Sequence, residues 1–159
     1  MEILLPEFKH LLLLLNKHKV SYILIGGYAV IYYGYERTTT DMDIWLQPTN
    51  KNRDILIEAL KEFGIGNTSI KALSELDFAQ TQFFFFGKKP RRIYFLTNIS
   101  GVAFEEAIKE VNFFSVGKEK IPVIQYHHLI LSKTTNERAK DKADVEELQK
   151  IRQKKNKNH

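Results

Sequence analysis

Apolar positions recur along the chain at two spacings. Between Pro6 and Lys17, the residues Phe8, Leu11, Leu12 and Leu15 fall three and four apart, as on one helix face, and proline suits a first helical turn. SYILIGG follows, a short β-rich apolar run stopped by two glycines, which predicts a buried strand ending at Gly26. GYAVIYYGY then reads as a short helix closed by Gly34. TTTDMDIWLQP has strand character, with Pro48 beyond its end. Asn50 is placed to cap a helix that runs to Phe63, where Gly64 stops it.

The second half is more broken. SIKALSELD predicts a short helix, and QTQFFFFG and RRIYFLTNI flank the turn GKKP as an antiparallel hairpin. FEEAIKEV reads as a helix, followed by short strands over 112–116 and 121–124 and by two terminal helices over 126–135 and 137–154. Strands and helices are mixed without regular alternation. The pattern therefore predicts an α+β domain, a mixed β-sheet flanked by helices with two C-terminal helices, and not a doubly wound fold.

Composition narrows the class. A chain of 159 residues, 43% apolar and 27% charged, is long enough for one domain with a self-sufficient core. With no cysteine, a disulfide scaffold, a thiolate zinc site and a cysteine nucleophile are excluded. Apolar runs such as Leu11–Leu15 fall far short of the ~20 residues that span a bilayer. MEILLPEFKH lacks the charged start and cleavage site of a secretory signal. The expectation is a soluble cytoplasmic protein with no membrane partner.

Charge first suggests nucleic acid: the formal net charge is +5 and the pI about 9.3. Its distribution changes that picture. Of the 24 basic residues, Lys150, Arg152, Lys154, Lys155 and Lys157 lie in 149–159, which holds no acid. That leaves 19 bases to set against the 19 acids of residues 1–148. A neutral domain, 1–148, thus precedes a basic tail, 149–159.

The chemistry concentrates in 22–46. Asp41 and Asp43 stand two apart in a predicted strand, so both carboxylates point to one side and Met42 and Ile44 to the other. Paired carboxylates repel unless cations or protons intervene, and Mg²⁺ takes such oxygens while sharing them with substrate phosphates. The plainer alternative is a solvated strand face. Upstream, Gly26 and Gly27 lie between strand and helix, where backbone N–H groups can approach a phosphate. Alone, a glycine pair there is only a turn; together with Asp-x-Asp it sets a phosphate cradle beside a divalent-metal site.

With ILIGG and TTTDMDIWL in these places, the chain resembles the nucleotidyltransferase superfamily, which shares the catalytic palm of DNA polymerase β. The closest likeness is to small bacterial members written GG-x-A, then R-x-T-x-D-hydrophobic-D, matched here by Gly26, Gly27, Ala29, Arg37, Thr39, Asp41 and Asp43. Some of those proteins are the enzyme halves of toxin–antitoxin and abortive-infection systems. RRIYFLTNISGVAFEEA resembles the second block of the family, and LILSKTTNERAKDKADVEEL its closing helices, so the likeness covers about residues 20–148. The resemblance implies transfer of a nucleoside monophosphate from an NTP such as ATP, with Mg²⁺ or Mn²⁺ on Asp41 and Asp43, to an acceptor hydroxyl.

One position departs. The second block should supply a third carboxylate, and Tyr94 stands there. A phenol with a reference pKa near 10 replaces a carboxylate poorly as metal ligand or base. Two readings stay open: an active transferase in which a distant acid fills the gap, or a catalytically degenerate module that binds nucleotide, RNA or a partner protein.

The bases have double readings. Arg37 and Thr39 are within reach of phosphate oxygens, or Arg37 pairs with Glu36 or solvent. Lys133 ends an apolar helix, and the resemblance implies that it faces the cleft and neutralises triphosphate charge. Lys140 and Asp141 open the last helix, either toward substrate or as an ion-pair network between the last two helices. Lys88, Lys89, Arg91 and Arg92 form a solvated turn or a patch that steers a polynucleotide. Phe83–Phe86 is expected to be core, not a base-stacking platform, and the adjacent His127 and His128 diverge on a helix and are structural. No separate acceptor-binding domain is apparent, so an RNA, a protein or a small-molecule acceptor would be shaped by a partner chain or a homodimer.

Overall fold

The computed structural model describes residues 4–135 and 139–157, the side chains of Ala139 and Lys140 excepted. The chain forms, in order, α1 (Pro6–Lys17), β1 (Tyr22–Ile25), α2 (Gly26–Tyr32), β2 (Met42–Leu46), α3 (Asn50–Phe63), α4 (Asn67–Ser74), β3 (Phe83–Phe86), β4 (Ile93–Leu96), α5 (Phe104–Ala107), β5 (Asn112–Val116), β6 (Glu119–Val123), α6 (Tyr126–Thr134) and α7 (Ala139–Lys157). The six strands make one sheet in the order β3-β4-β2-β1-β6-β5. Pairing alternates across it: β3/β4, β2/β1 and β6/β5 are antiparallel, while β4/β2 and β1/β6 are parallel. This is the expected α+β domain on a mixed sheet.

One face of the sheet is the floor of the core. Tyr22, Leu24, Met42, Ile44, Leu46 and Phe95 are buried there. Helix α1 lies on that face, for the Tyr22 hydroxyl donates to Asn16 Oδ1 at 2.7 Å. The fully buried Phe8, Leu11, Leu12 and Leu15 of α1 are the stripe read from the sequence. Phe78, after α4, packs on Phe84, which stacks on Phe95 at 5.2 Å and 17°. Burying such side chains contributes roughly 1.5–3 kcal/mol each before entropy is counted.

The opposite face carries the chemistry. Trp45 is covered there by Phe104 of α5, edge-on at 5.2 Å, and α6 brings Leu129 and Lys133 over it. Beyond β4 that face opens.

Some boundaries differ from expectation for local reasons. Thr49, not Asn50, caps α3: its hydroxyl accepts the Asn52 N–H at 3.1 Å, while the Asn50 carbonyl is spent on the Phe78 N–H at 2.8 Å. Helix α5 stops at Ala107, before the eight residues expected. Strand β6 starts at Glu119 because Gly117, at φ +61°, closes a tight turn pairing Val116 with Glu119. Polar Glu119 and Lys120 join that ladder through backbone alone, which an apolar pattern does not register. Helix α7 continues through the basic stretch to Lys157, and Arg152 packs over the Tyr126 ring at 4.4 Å. No helix among the described residues is long and apolar enough to cross a membrane.

Candidate active site

The site begins where β1 turns into α2. Gly26 has φ +69°, a conformation that costs other residues about 1–2 kcal/mol. A Cβ there would also lie 2.8 Å from Asp43 Cγ. At Gly27 a Cβ would lie 2.6 Å from Thr39 Oγ1 and 3.4 Å from an Arg37 guanidinium nitrogen. The two glycines therefore admit Asp43, Thr39 and Arg37 to the turn. That role came from neither spacing nor composition, since it depends on which strand lies opposite.

Asp43 sits in β2, paired across from Ile25 and beside Tyr94. Asp41 lies one residue before the strand. Its Oδ1 accepts the Arg92 N–H at 3.0 Å, and the Met42 N–H donates to the Arg92 carbonyl at 2.9 Å. The Arg92 backbone thus anchors the carboxylate to the start of β4. Thr39 donates its hydroxyl to the Asp41 carbonyl at 3.1 Å, fixing the loop. Tyr28, below the turn in α2, has its phenol pushed up by burial and, secondarily, by the Asp41 charge.

A cleft of about 740 Å³ opens over these groups. Its walls include Gly26, Gly27, Arg37, Thr39, Asp41, Asp43 and Lys133, all singled out from the sequence, together with Tyr94. Lys140, the remaining candidate, has its side chain outside the described residues. Residues 5–159 match the model of a protein family described as nucleotidyl transferase of unknown function (DUF2204). The chain belongs to that family. No curated protein matches it significantly.

A nucleotidyl transferase handles a triphosphate, generally with a divalent metal ion. The donor set here fits one such ion. Asp41 and Asp43 supply hard oxygens, and the N–H bond to one oxygen of Asp41 holds that carboxylate in orientation. It does not fit a cage of three carboxylates. Among the described residues no three His, Cys, Asp or Glu side chains cluster to hold a metal. The place beside Asp43 is filled by Tyr94, whose ring stacks on Phe83 at 5.5 Å and 21° and whose hydroxyl lies 3.4 Å from Arg92 Nη1.

The cations of the cleft are engaged with buried carboxylates. Lys133 Nζ donates to Asp141 at 3.1 Å and Asp144 at 2.9 Å. Arg37 Nη1 meets both oxygens of Asp144 at 2.6 Å, so its partner is neither Glu36 nor solvent. These four groups are largely buried and join the loop before β2 to α6 and α7. Asp141 lies in the ion-pair network named as one of its two readings. Asp144 was part of the motif in the closing helices but had no assigned role; its place one helical turn after Asp141 is the signal that could have found it.

The remaining candidates separate. His128 pairs with Glu110 at 3.5 Å, away from the cleft walls, and His127 lines a different surface dent. In the run Phe83–Phe86, expected as core because strand alternation buries two of the four or, with both faces covered, all four, the structure takes the first course. Phe84 and Phe86 pack inward, whereas Phe83 and Phe85 are 64% and 44% exposed. The reason is that only one face of the sheet is covered at β3.

Proposed function

We propose that this protein moves a nucleoside monophosphate from an NTP–Mg²⁺ complex to an acceptor hydroxyl. The observation that carries the reading is Asp43 packed against Gly26 with Asp41 in the wall of the same cleft, in a chain of a nucleotidyl transferase family. Asp41 and Asp43 would hold the divalent ion, which supplies charge neutralisation at the triphosphate. Gly26 and Gly27 let Asp43, Thr39 and Arg37 close on the turn, and the second guanidinium nitrogen of Arg37, beside Gly27, would meet the phosphate oxygens. Thr39 holds the loop, and Lys133, bonded to Asp141 and Asp144, would stand in the cleft wall toward the triphosphate. Lys140 would complete the phosphate contacts.

The acceptor oxygen would attack the α-phosphorus in line, the bond to the β-phosphate oxygen would break, and pyrophosphate would leave. The hydroxyl proton passes to water in the open cleft. Catalysis of this kind is chiefly positioning and electrostatics. In this reading residues 1–148 do the chemistry, and the basic segment 149–159 adds affinity for a polyanion.

Tyr94 favours a second reading, in which the cleft binds nucleotide without transfer. Incubation of wild type and Tyr94→Asp with labelled NTPs, Mg²⁺ or Mn²⁺ and RNA or protein acceptors separates the two. Label transfer by wild type supports the transferase. Transfer by Tyr94→Asp alone supports the degenerate module.

A further inference from the structure

Phe83 and Phe85 point out from the sheet on the face that carries Asp43, and β3 is its edge strand. Across the strands the register sets Asp43, Tyr94 and Phe85 in one row, and two strand spacings span about 10 Å. The Tyr94 ring bridges the two phenylalanines, stacked on Phe83 at 5.5 Å and tilted on Phe85 at 5.6 Å. Arg92 lies over the Phe85 ring at 4.4 Å. The turn joining β3 and β4 adds Lys88 and Lys89 at the end of the sheet where Asp41 is tied to Arg92.

We propose that this surface is the acceptor platform and that its occupant is a single-stranded polynucleotide. The inference rests on the transferase reading of the neighbouring carboxylates and names the acceptor class for it. Three features fix the class. Exposed rings in stacked geometry offer π-faces to bases of any sequence, and basic side chains at their border match a phosphate backbone. The row runs from Asp43 to the edge strand β3, so a chain can enter from that edge and lie across the rings. A protein surface seated on this patch would have to supply acids to meet Lys88, Lys89 and Arg92, whereas a polynucleotide brings the charge with it.

The test is fluorescence anisotropy with labelled single-stranded RNA and DNA oligonucleotides of about twelve residues, and with a duplex, at fixed salt. Phe83→Ala with Phe85→Ala is expected to weaken single-strand binding at least about tenfold while leaving duplex binding within about twofold. An unchanged thermal melt would show that the variant is folded. Phe85→Trp is expected to retain binding, with its indole emission quenched by the oligonucleotide. Lys88→Ser with Lys89→Ser should reduce the steepness of the salt dependence by about 1.4 in log Kd per log salt. Absence of single-strand binding by wild type, or equal binding by the double phenylalanine variant, overturns the proposal. So does a wild-type dimer that the same variant dissolves without change in oligonucleotide affinity. None of these readings needs an NTP, and NTP–Mg²⁺ calorimetry on wild type without oligonucleotide reports separately on the transferase reading.

Discussion

Replacing Lys133 by methionine removes one charge from the buried network and keeps the length of the side chain. Lys133 Nζ makes hydrogen bonds of 3.1 and 2.9 Å to Asp141 and Asp144, each only 2% exposed. After the substitution Asp141 and Asp144 both lose the ammonium they share while staying buried, and Arg37 still meets Asp144. Breaking a buried pair from one side costs about 3–5 kcal/mol. For a domain of this size each kcal/mol moves the melting temperature by about 2–4 °C, so thermal unfolding at pH 7 should show a fall of about 6–20 °C. Because the pairs are buried, raising salt should leave most of that difference in place. Lys133→Met combined with Asp141→Asn removes both ends of one pair and should cost less than the two single changes added together. A fall below about 2 °C, or a double variant less stable than the single one by the full cost of a second lesion, would refute the network as described.

Two other perturbations test different parts of the account. Gly26→Ala must place a side chain at φ +69° and 2.8 Å from Asp43 Cγ, so it should cost about 2–4 kcal/mol in urea unfolding and weaken NTP–Mg²⁺ binding; a loss under about 0.5 kcal/mol with normal affinity would refute the close packing. Burial raises the phenols of Tyr22, Tyr28, Tyr33 and Tyr126 above the ordinary 10.0, with Glu119 adding to the effect at Tyr22. The unfolded chain loses these protons first, so their contribution to stability is complete below pH 10 and falls as pH rises beyond it. Denaturation midpoints level to about pH 9.5 and declining above it are expected, and a midpoint unchanged at pH 11 would contradict the burial.

Much of this molecule was legible in the chain because its elements are punctuated locally. Pro6, Gly34 and Gly64 mark boundaries by their own backbone preferences, and the Phe8–Leu15 stripe needs no partner to be recognised. The meeting of the candidate residues was legible for the same reason: Gly-Gly opens a single short helix and Asp-x-Asp follows it, so their approach depends on one β-α-β turn. What escaped depends on distant pairing. The exposure of Phe83 and Phe85 follows from which helices cover β3. The partner of Arg37 lies more than a hundred residues away, on α7. The role of Gly27 as a gap for Thr39 exists only after the loop closes over it.

In the proposed function Asp41 and Asp43, at the cleft beside Gly26, bind an NTP through a divalent ion. Isothermal titration of a non-hydrolysable NTP analogue tests it directly, with Mg²⁺ present and again after chelation, in wild type and in Asp41→Asn with Asp43→Asn. Wild type is expected to bind, with chelation abolishing the binding, and a double variant whose thermal melt shows it folded is expected not to bind. Equal affinity in wild type and double variant would contradict it.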